Sequence, residues 1–260
     1  MSPDIQMHFD PQGSLLASAR DCEAEVFLKW FGNTPEQIDQ EYSPYEDSSV
    51  FLVLADHDEV IAAARLLAPG GRAGLKTLVD VGSEPWSVDG TRAAAAVGMN
   101  LGSTWEVATL GARRGSTATG LRLSLALYHG LMMVGRANRM TSFVAILDER
   151  VRRLLDSVGI LTRPLPGTTT APYLGSQAST PVYVHSAPML ENQRRHFPDA
   201  YRLVTLGIGL DGVTVPAPDA FLLRPRHAML ARPMPEPPGN TASLVGSARG
   251  QIERPAGEVA

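Results

Sequence analysis

Residues 105–159 constrain the fold of this chain most strongly, because strand and helix patterns alternate there without a long break. Residues 104–111, TWEVATLG, predict a strand, and a basic turn containing glycine follows at residues 112–120. Residues 121–138 predict an apolar helix, residues 141–147 a buried strand, and residues 149–158 an amphipathic helix. This alternation predicts an α/β fold, with a mixed sheet in one layered domain.

The helix predicted at residues 121–138 is the longest apolar stretch, and we expect it inside the core. Ser124, His129 and Gly130 interrupt the stretch, which is too short and too polar to span a bilayer. We therefore expect no membrane span, and we interpret His129 as a hydrogen-bonded histidine of the core.

Further patterns extend the predicted sheet and set the expected boundaries of the domain. Residues 50–55 and 60–67 flank a polar turn and predict a β-hairpin, while residues 181–184 and 201–209 predict two later strands. Residues 14–31 predict an amphipathic helix. We expect an N-terminal tail at residues 1–13, one domain at residues 14–213, and a proline-rich, partly disordered tail at residues 214–260.

Charge and cysteine content narrow the classes of function. The net charge of −4 gives no reason to expect a nucleic acid partner. Cys22 is the only cysteine, so the chain can form neither an internal disulfide nor a cysteine-rich zinc site. We expect a cytoplasmic protein with no metal and no bound cofactor. Lysine is rare in this chain: of the 23 lysine and arginine residues, only Lys29 and Lys76 are lysines.

Glu106 lies on the strand between Trp105 and Val107. Apolar neighbours can raise the proton affinity of a carboxylate, and a carboxylate of this kind can act as a general base. The alternative is a glutamate that faces solvent on an alternating strand. Glu106 is nevertheless our candidate for the catalytic residue.

The basic turn contains Arg113, Arg114 and Gly115 and opens the apolar helix. Free backbone N–H groups and the helix dipole favour an anion at such a position. The turn could therefore hold a phosphate or the acidic surface of a partner, although a solvated loop with two charges is the alternative. Walker, Rossmann, G-x-S-x-G and H-E-x-x-H motifs are absent from the sequence.

The order of several motifs resembles the autoinducer synthase family, which makes acyl-homoserine lactones, and more loosely the long-chain N-acyl amino acid synthases. The segment from Phe27 to Trp30 precedes an acidic, tyrosine-containing loop at residues 41–47. Residues 65–67 read Arg-Leu-Leu at the end of the predicted hairpin, and Trp105-Glu106 follows after a variable region. The family strand usually continues with Ser-Arg, where this chain has Ala108-Thr109.

The resemblance implies a GNAT-type acyltransferase fold with a mostly antiparallel central sheet flanked by helices. It implies transfer of a fatty acyl group from acyl-CoA, or from an acyl carrier protein as partner, to a small amine, with Glu106 as the base. An acetyl-CoA-dependent acetyltransferase and a non-catalytic ligand-binding module remain alternatives. We expect Arg113, Arg114, Gly115 and Phe143 to contact the acyl donor, and Glu46, Asp47, Arg65 and Trp30 to contact the acceptor.

Overall fold

The computed structural model describes residues 5–113 and 117–224, with the backbone alone for residues 117–119. Its strands are β1 (Ile5–Phe9), β2 (Ser49–Asp56), β3 (Glu59–Leu67), β4 (Thr104–Ala112), β5 (Ser142–Asp148), β6 (Arg163–Pro164), β7 (Ala171–Tyr173), β8 (Ser176–His185) and β9 (Val213–Thr214). Its helices are α1 (Ser14–Phe31), α2 (Pro35–Tyr42), α3 (Lys76–Asp80), α4 (Gly90–Ala96), α5 (Thr117–Ala137), α6 (Glu149–Ser157), α7 (Ser186–His196) and α8 (Pro198–Ala200).

The described strands form one sheet of nine strands in the order β6-β8-β5-β4-β3-β2-β1-β9, with β7 paired to β8. Neighbouring strands are antiparallel except for β4 with β5 and β1 with β9, which are parallel. The prediction of an α/β fold with a mostly antiparallel sheet flanked by helices is confirmed. Within the described residues, no helix combines the length and the apolar character needed to cross a membrane.

Helix α5 packs on one face of the sheet and forms the largest core with it. Leu123 and Leu127 of this helix lie against Leu52 and Trp105 of the strands. Gly130 permits the close approach, because a Cβ atom there would lie 2.7 Å from Cδ2 of Leu52. The opposite face is covered by α1, α3 and α4. One face of the sheet is therefore apolar, whereas the other buries charged groups.

The structure corrects the predicted N-terminal tail. Residues 5–9 form β1, which pairs with β2 and buries Ile5, Met7 and Phe9. The acidic and polar residues of this segment suggested a tail, but its apolar side chains alternate with them and therefore share one face of a strand.

Two C-terminal predictions are also corrected. The predicted strand at residues 201–209 is wrong, because Tyr201–Thr205 is a π-helical turn in which the carbonyl of Val204 meets His129 of α5. The predicted tail begins too early, because Phe221 is fully buried and its ring lies 6.2 Å from that of Phe9. Residues 225–260 of that tail lie outside the described residues.

The turn between β7 and β8 packs closely against the end of α1. Gly175 has a positive φ of 79°, and a Cβ atom there would lie 2.1 Å from the carbonyl oxygen of Phe31. Gly74 has nearly the same φ, 78°, with no atom within 4 Å of the corresponding position. An alanine at Gly74 would therefore strain the backbone conformation alone, whereas an alanine at Gly175 would also clash with Phe31.

We predict that Gly175→Ala lowers the free energy of unfolding by about 3 kcal/mol, whereas Gly74→Ala lowers it by about 1 kcal/mol. Urea denaturation of both variants and the wild type measures the difference. Equal losses would show that the turn does not pack on α1 as described.

Candidate functional site

Strands β4 and β5 part soon after they begin. They pair in parallel only from Thr104 to Glu106, opposite residues 142–144. Beyond Glu106, β4 pairs with β3 alone, whereas β5 beyond Val144 pairs with β8 alone. No ladder hydrogen bonds close the gap between them, so a ligand group inserted there could meet side chains from both faces of the sheet.

An apolar cavity, here called the wedge, fills the gap on the face covered by α5. Phe143 and Val107 line it from the strands, Met132 and Tyr128 from α5, and Leu155 from α6. Its free volume is about 40 Å³. Phe143, one of the predicted site residues, thus lines an apolar cavity whose lining offers no charged group.

A β-bulge on β4 shapes the opposite face. Leu66 of β3 pairs with Val107, but Arg65 pairs with Thr109, which leaves Ala108 with no partner in β3. Ala108 packs on the core beneath α3, and the Thr109 hydroxyl bonds Glu23 of α1, so both residues point to the same face. Tyr42 donates a hydrogen bond to the carbonyl oxygen of Ala108 at 3.3 Å.

Glu106 lies at the point where the strands part and points away from the wedge. Its side chain is buried and accepts hydrogen bonds from the backbone N–H of Thr77 at 2.9 Å and from the Thr77 hydroxyl at 2.9 Å. Burial raises the pKa of Glu106 to about 7, and the charge of Asp80 adds to this effect. The bonds from Thr77 and the charge of Lys76 oppose it. The carboxyl group can therefore exchange a proton near neutral pH.

A buried ion pair lies next to Glu106 on this face. Arg65 donates to Glu23 at 2.7 Å, and both side chains are at most 3% exposed. Arg65 also donates to Glu46 at 2.9 Å, and Glu46 accepts from the exposed Arg20 at 2.6 Å. The structure thus brings the predicted residues Arg65 and Glu46 together and joins them to α1.

Other predicted site residues lie apart from this network. Trp30 is 53% exposed, and its ring contacts the guanidinium of Arg150 at 5.7 Å. Asp47 pairs with the exposed Arg72.

Of the residues predicted to bind the acyl donor, Arg113 also lies apart from this network. The guanidinium of Arg113 lies between Glu25 and Glu59, each within 3.0 Å, and is thereby neutralised. Arg114 and Gly115 lie outside the described residues.

His129 bonds the carbonyl of Val204 at 3.0 Å, as expected of a core histidine. Burial raises the pKa of Cys22 to about 12, which leaves it a poor nucleophile.

Several residues of the site were not predicted from the sequence. Glu23 lies on the buried face of α1 with Ala19, Cys22 and Val26, and an acid on such an apolar stripe could have indicated a buried ion pair. Lys76 and Thr77 come from a short helix whose place beneath β4 no local pattern predicts. Within the described residues, no group of three or more His, Cys, Asp or Glu side chains is arranged to hold a metal ion.

The raised pKa of Glu106 predicts how stability depends on pH. In the unfolded chain a glutamate has a pKa of about 4.3, so between pH 4.3 and 7 only the folded state holds this proton. The free energy of unfolding therefore falls by about 4 kcal/mol as pH rises through that window. Urea denaturation at several pH values gives the free energy of unfolding of the wild type and of Glu106→Gln. We expect the difference between the two, wild type minus variant, to fall by this amount across the window. A difference that does not change with pH would contradict the prediction.

Comparison with known proteins supports the fold. No family model and no curated protein sequence matches the chain. Among solved structures, a CoA-dependent acyl-homoserine lactone synthase, BjaI, with SAM and isopentyl-CoA, aligns over 84% of this chain and 96% of its own, at 18% identity and a TM-score of 0.51. FeeM, an N-acyl amino acid synthase from uncultured soil microbes, aligns over 74% of this chain and 95% of its own, at 10% identity and a TM-score of 0.56. The chain therefore has the fold of these acyl-homoserine lactone and N-acyl amino acid synthase structures.

Proposed function

We propose that this protein is an N-acyltransferase that moves an acyl group from a thioester to a small amine. The observation that carries the proposal is the gap between β4 and β5, with an apolar wedge on one face and a buried carboxyl group of raised pKa on the other. A thioester carbonyl in the gap would have its acyl chain in the wedge and its reactive carbon near Glu106.

The reaction needs no covalent acyl-enzyme. The amine nitrogen attacks the thioester carbon, the C–N bond forms and the C–S bond breaks. Glu106 takes the amine proton, directly or through a water, and then passes it by the same route to the departing thiolate, which restores the base. A pKa of about 7 suits a base that works at neutral pH. Glu106 is only 3% exposed, so the elements over it must move, or a water must relay the proton.

The proposed donor is an acyl-CoA, or the same acyl group on an acyl carrier protein. BjaI, whose fold this chain shares, is described as CoA-dependent and was solved with isopentyl-CoA. Helix α5 begins at Thr117 beside β4, and its N-terminal N–H groups would favour the donor's phosphates. We keep Arg114 and Gly115 as donor-binding candidates and give Arg113 a structural role, because two carboxylates already neutralise it.

The proposed acceptor is a small amine such as an amino acid derivative. Glu46 is 38% exposed and Arg20 46% exposed, and they pair at the edge of the buried network. A carboxylate and a guanidinium at this position could bind the ammonium and carboxylate of an amino acid. Arg65 holds Glu46 in place from beneath. Asp47 and Trp30 lie outside this network, and the structure adds no support for their role.

The length of the acyl chain depends on movement around the wedge. A cavity of roughly 150 Å³ holds a benzene molecule, so a wedge of 40 Å³ must widen before it accepts a chain longer than a short acyl group. Met132, Met140 and Phe143 separate it from a second pocket of about 230 Å³ beside α7. Methionine side chains adapt readily, so we propose that a fatty chain passes between them. Short-chain transfer is the second candidate, favoured by the small wedge.

We predict that Glu106→Gln lowers kcat by about 100-fold or more, because the glutamine amide cannot accept the amine proton. Steady-state release of CoA from acyl-CoA, with a panel of amines, measures the effect. In the wild type we expect kcat to rise with pH through about 7. Glu191→Gln, on the exposed face of α7, is the matched control and should retain activity. Unchanged turnover in Glu106→Gln would remove Glu106 as the base.

We predict that Met132→Ala opens the passage and raises kcat/KM for decanoyl-CoA relative to butyryl-CoA by about tenfold. Met133→Ala removes the same atoms from the neighbouring position, which packs on the core rather than on the wedge. Its chain-length preference should match that of the wild type. An equal change in both variants, or none in Met132→Ala, would contradict the proposed path.

A further inference from the structure

The ammonium group of Lys76 is buried beside the proposed active site. Its side chain is 4% exposed, and Nζ donates to Glu41 at 2.7 Å and to Asp80 at 2.6 Å. Burial lowers the pKa of Lys76, but the bonds to Asp80 and Glu41 more than offset this effect and raise it overall. The side chain therefore stays charged across the working pH range.

Three tyrosine rings surround the same nitrogen. The ring centroids of Tyr42, Tyr45 and Tyr173 lie 5.6, 6.0 and 5.7 Å from Nζ. Asp80 also accepts a hydrogen bond from the Tyr173 hydroxyl, which joins the aromatic and acidic parts of the enclosure. Aromatic faces combined with carboxylates are the chemistry with which proteins bind alkylammonium ligands. We call this enclosure the ammonium cage.

The residue type at this position fits the cage. The chain has only two lysines among its 23 basic residues, and one of them lies here. An ammonium is compact and directs its N–H donors tetrahedrally, whereas a planar guanidinium favours paired contacts with carboxylates, as Arg65 makes with Glu23.

The cage adjoins the candidate base. Thr77, the residue after Lys76, holds Glu106 through its backbone N–H and its hydroxyl. Tyr42 of the cage also bonds the carbonyl of Ala108, at the bulge where β4 leaves β5. A second ammonium on an acceptor near Glu106 would therefore meet a cage that Lys76 already occupies.

We propose that Lys76 is the resident ligand of this ammonium cage and that it restricts acceptors to amines without a second cationic group. A second ammonium would find both carboxylates of the cage already paired with Nζ, so it would lose solvation without gaining a partner, which is a common basis for specificity. The restriction on acceptors rests on the proposed acyltransferase function. The proposal that an ammonium occupies the cage does not depend on that function.

The first test empties the cage. Lys76→Ala leaves two partly buried carboxylates without their cation, so its melting temperature should fall. Methylammonium chloride should restore it in a saturable way, because a ligand that binds only the folded state stabilises it. The wild type and Lys29→Ala, which removes the other lysine, should respond no more than to sodium chloride. If Lys76→Ala does not fold in sodium chloride, its refolding yield with methylammonium replaces the melting curve. No specific effect of methylammonium in either measurement would overturn the cage.

The second test measures acceptor choice. Butylamine is compared with putrescine, and pentylamine with cadaverine, as acceptors for the wild type and Lys76→Ala. We expect the wild type to prefer the monoamines, and Lys76→Ala to shift kcat/KM toward the diamines by about tenfold, since their second ammonium can enter the empty cage. An unchanged ratio would overturn the specificity role. If the wild type acylates no amine, the proposed function fails, whereas the methylammonium test still decides the cage.

Discussion

The short parallel pairing of β4 with β5 is the constraint on which the rest of the site depends. Only three residues of each strand pair, and each strand then continues in an antiparallel half of the sheet. Parallel neighbours require a crossover connection, and α5 supplies it. The helix buries the apolar face of both halves, and the gap beyond the three pairs connects that face to the charged one. This gap brings the wedge and Glu106 to one place in the sheet, and the proposed acyl transfer rests on that placement.

The charged face shows why one carboxylate differs from the others. Glu23 has the guanidinium of Arg65, and Asp80 has the ammonium of Lys76. The direct hydrogen bonds to Glu106 come instead from the neutral donors of Thr77. Neutral donors offset only part of the cost of burying a charge, so the pKa of Glu106 rises. The partners of these groups, rather than their residue type, make Glu106 the candidate base.

The bulge on β4 gives a physical account of Ala108 and Thr109, which stand where the autoinducer synthase family usually has serine and arginine. Both residues point to the charged face, and the Thr109 hydroxyl bonds Glu23 at 2.5 Å while accepting from the backbone N–H of Arg65. Thr109 therefore joins the buried ion pair to β4 without adding a charge. The cations on this face come instead from Arg20, Arg65 and Lys76.

The sequence by itself determined the α/β class, the hairpin of β2 and β3, the buried α5 and the raised proton affinity of Glu106, because those features follow from local periodicity or from an acid among apolar neighbours. It missed β1, misread residues 201–209, and did not reveal that Arg113 pairs with Glu25 and Glu59. Only the tertiary structure decided these points, because a strand's partner and a charge's neighbour are fixed by residues distant along the chain. The pairing of Glu23 with Arg65 and the placement of Lys76 among three tyrosines depend on contacts that no local pattern encodes.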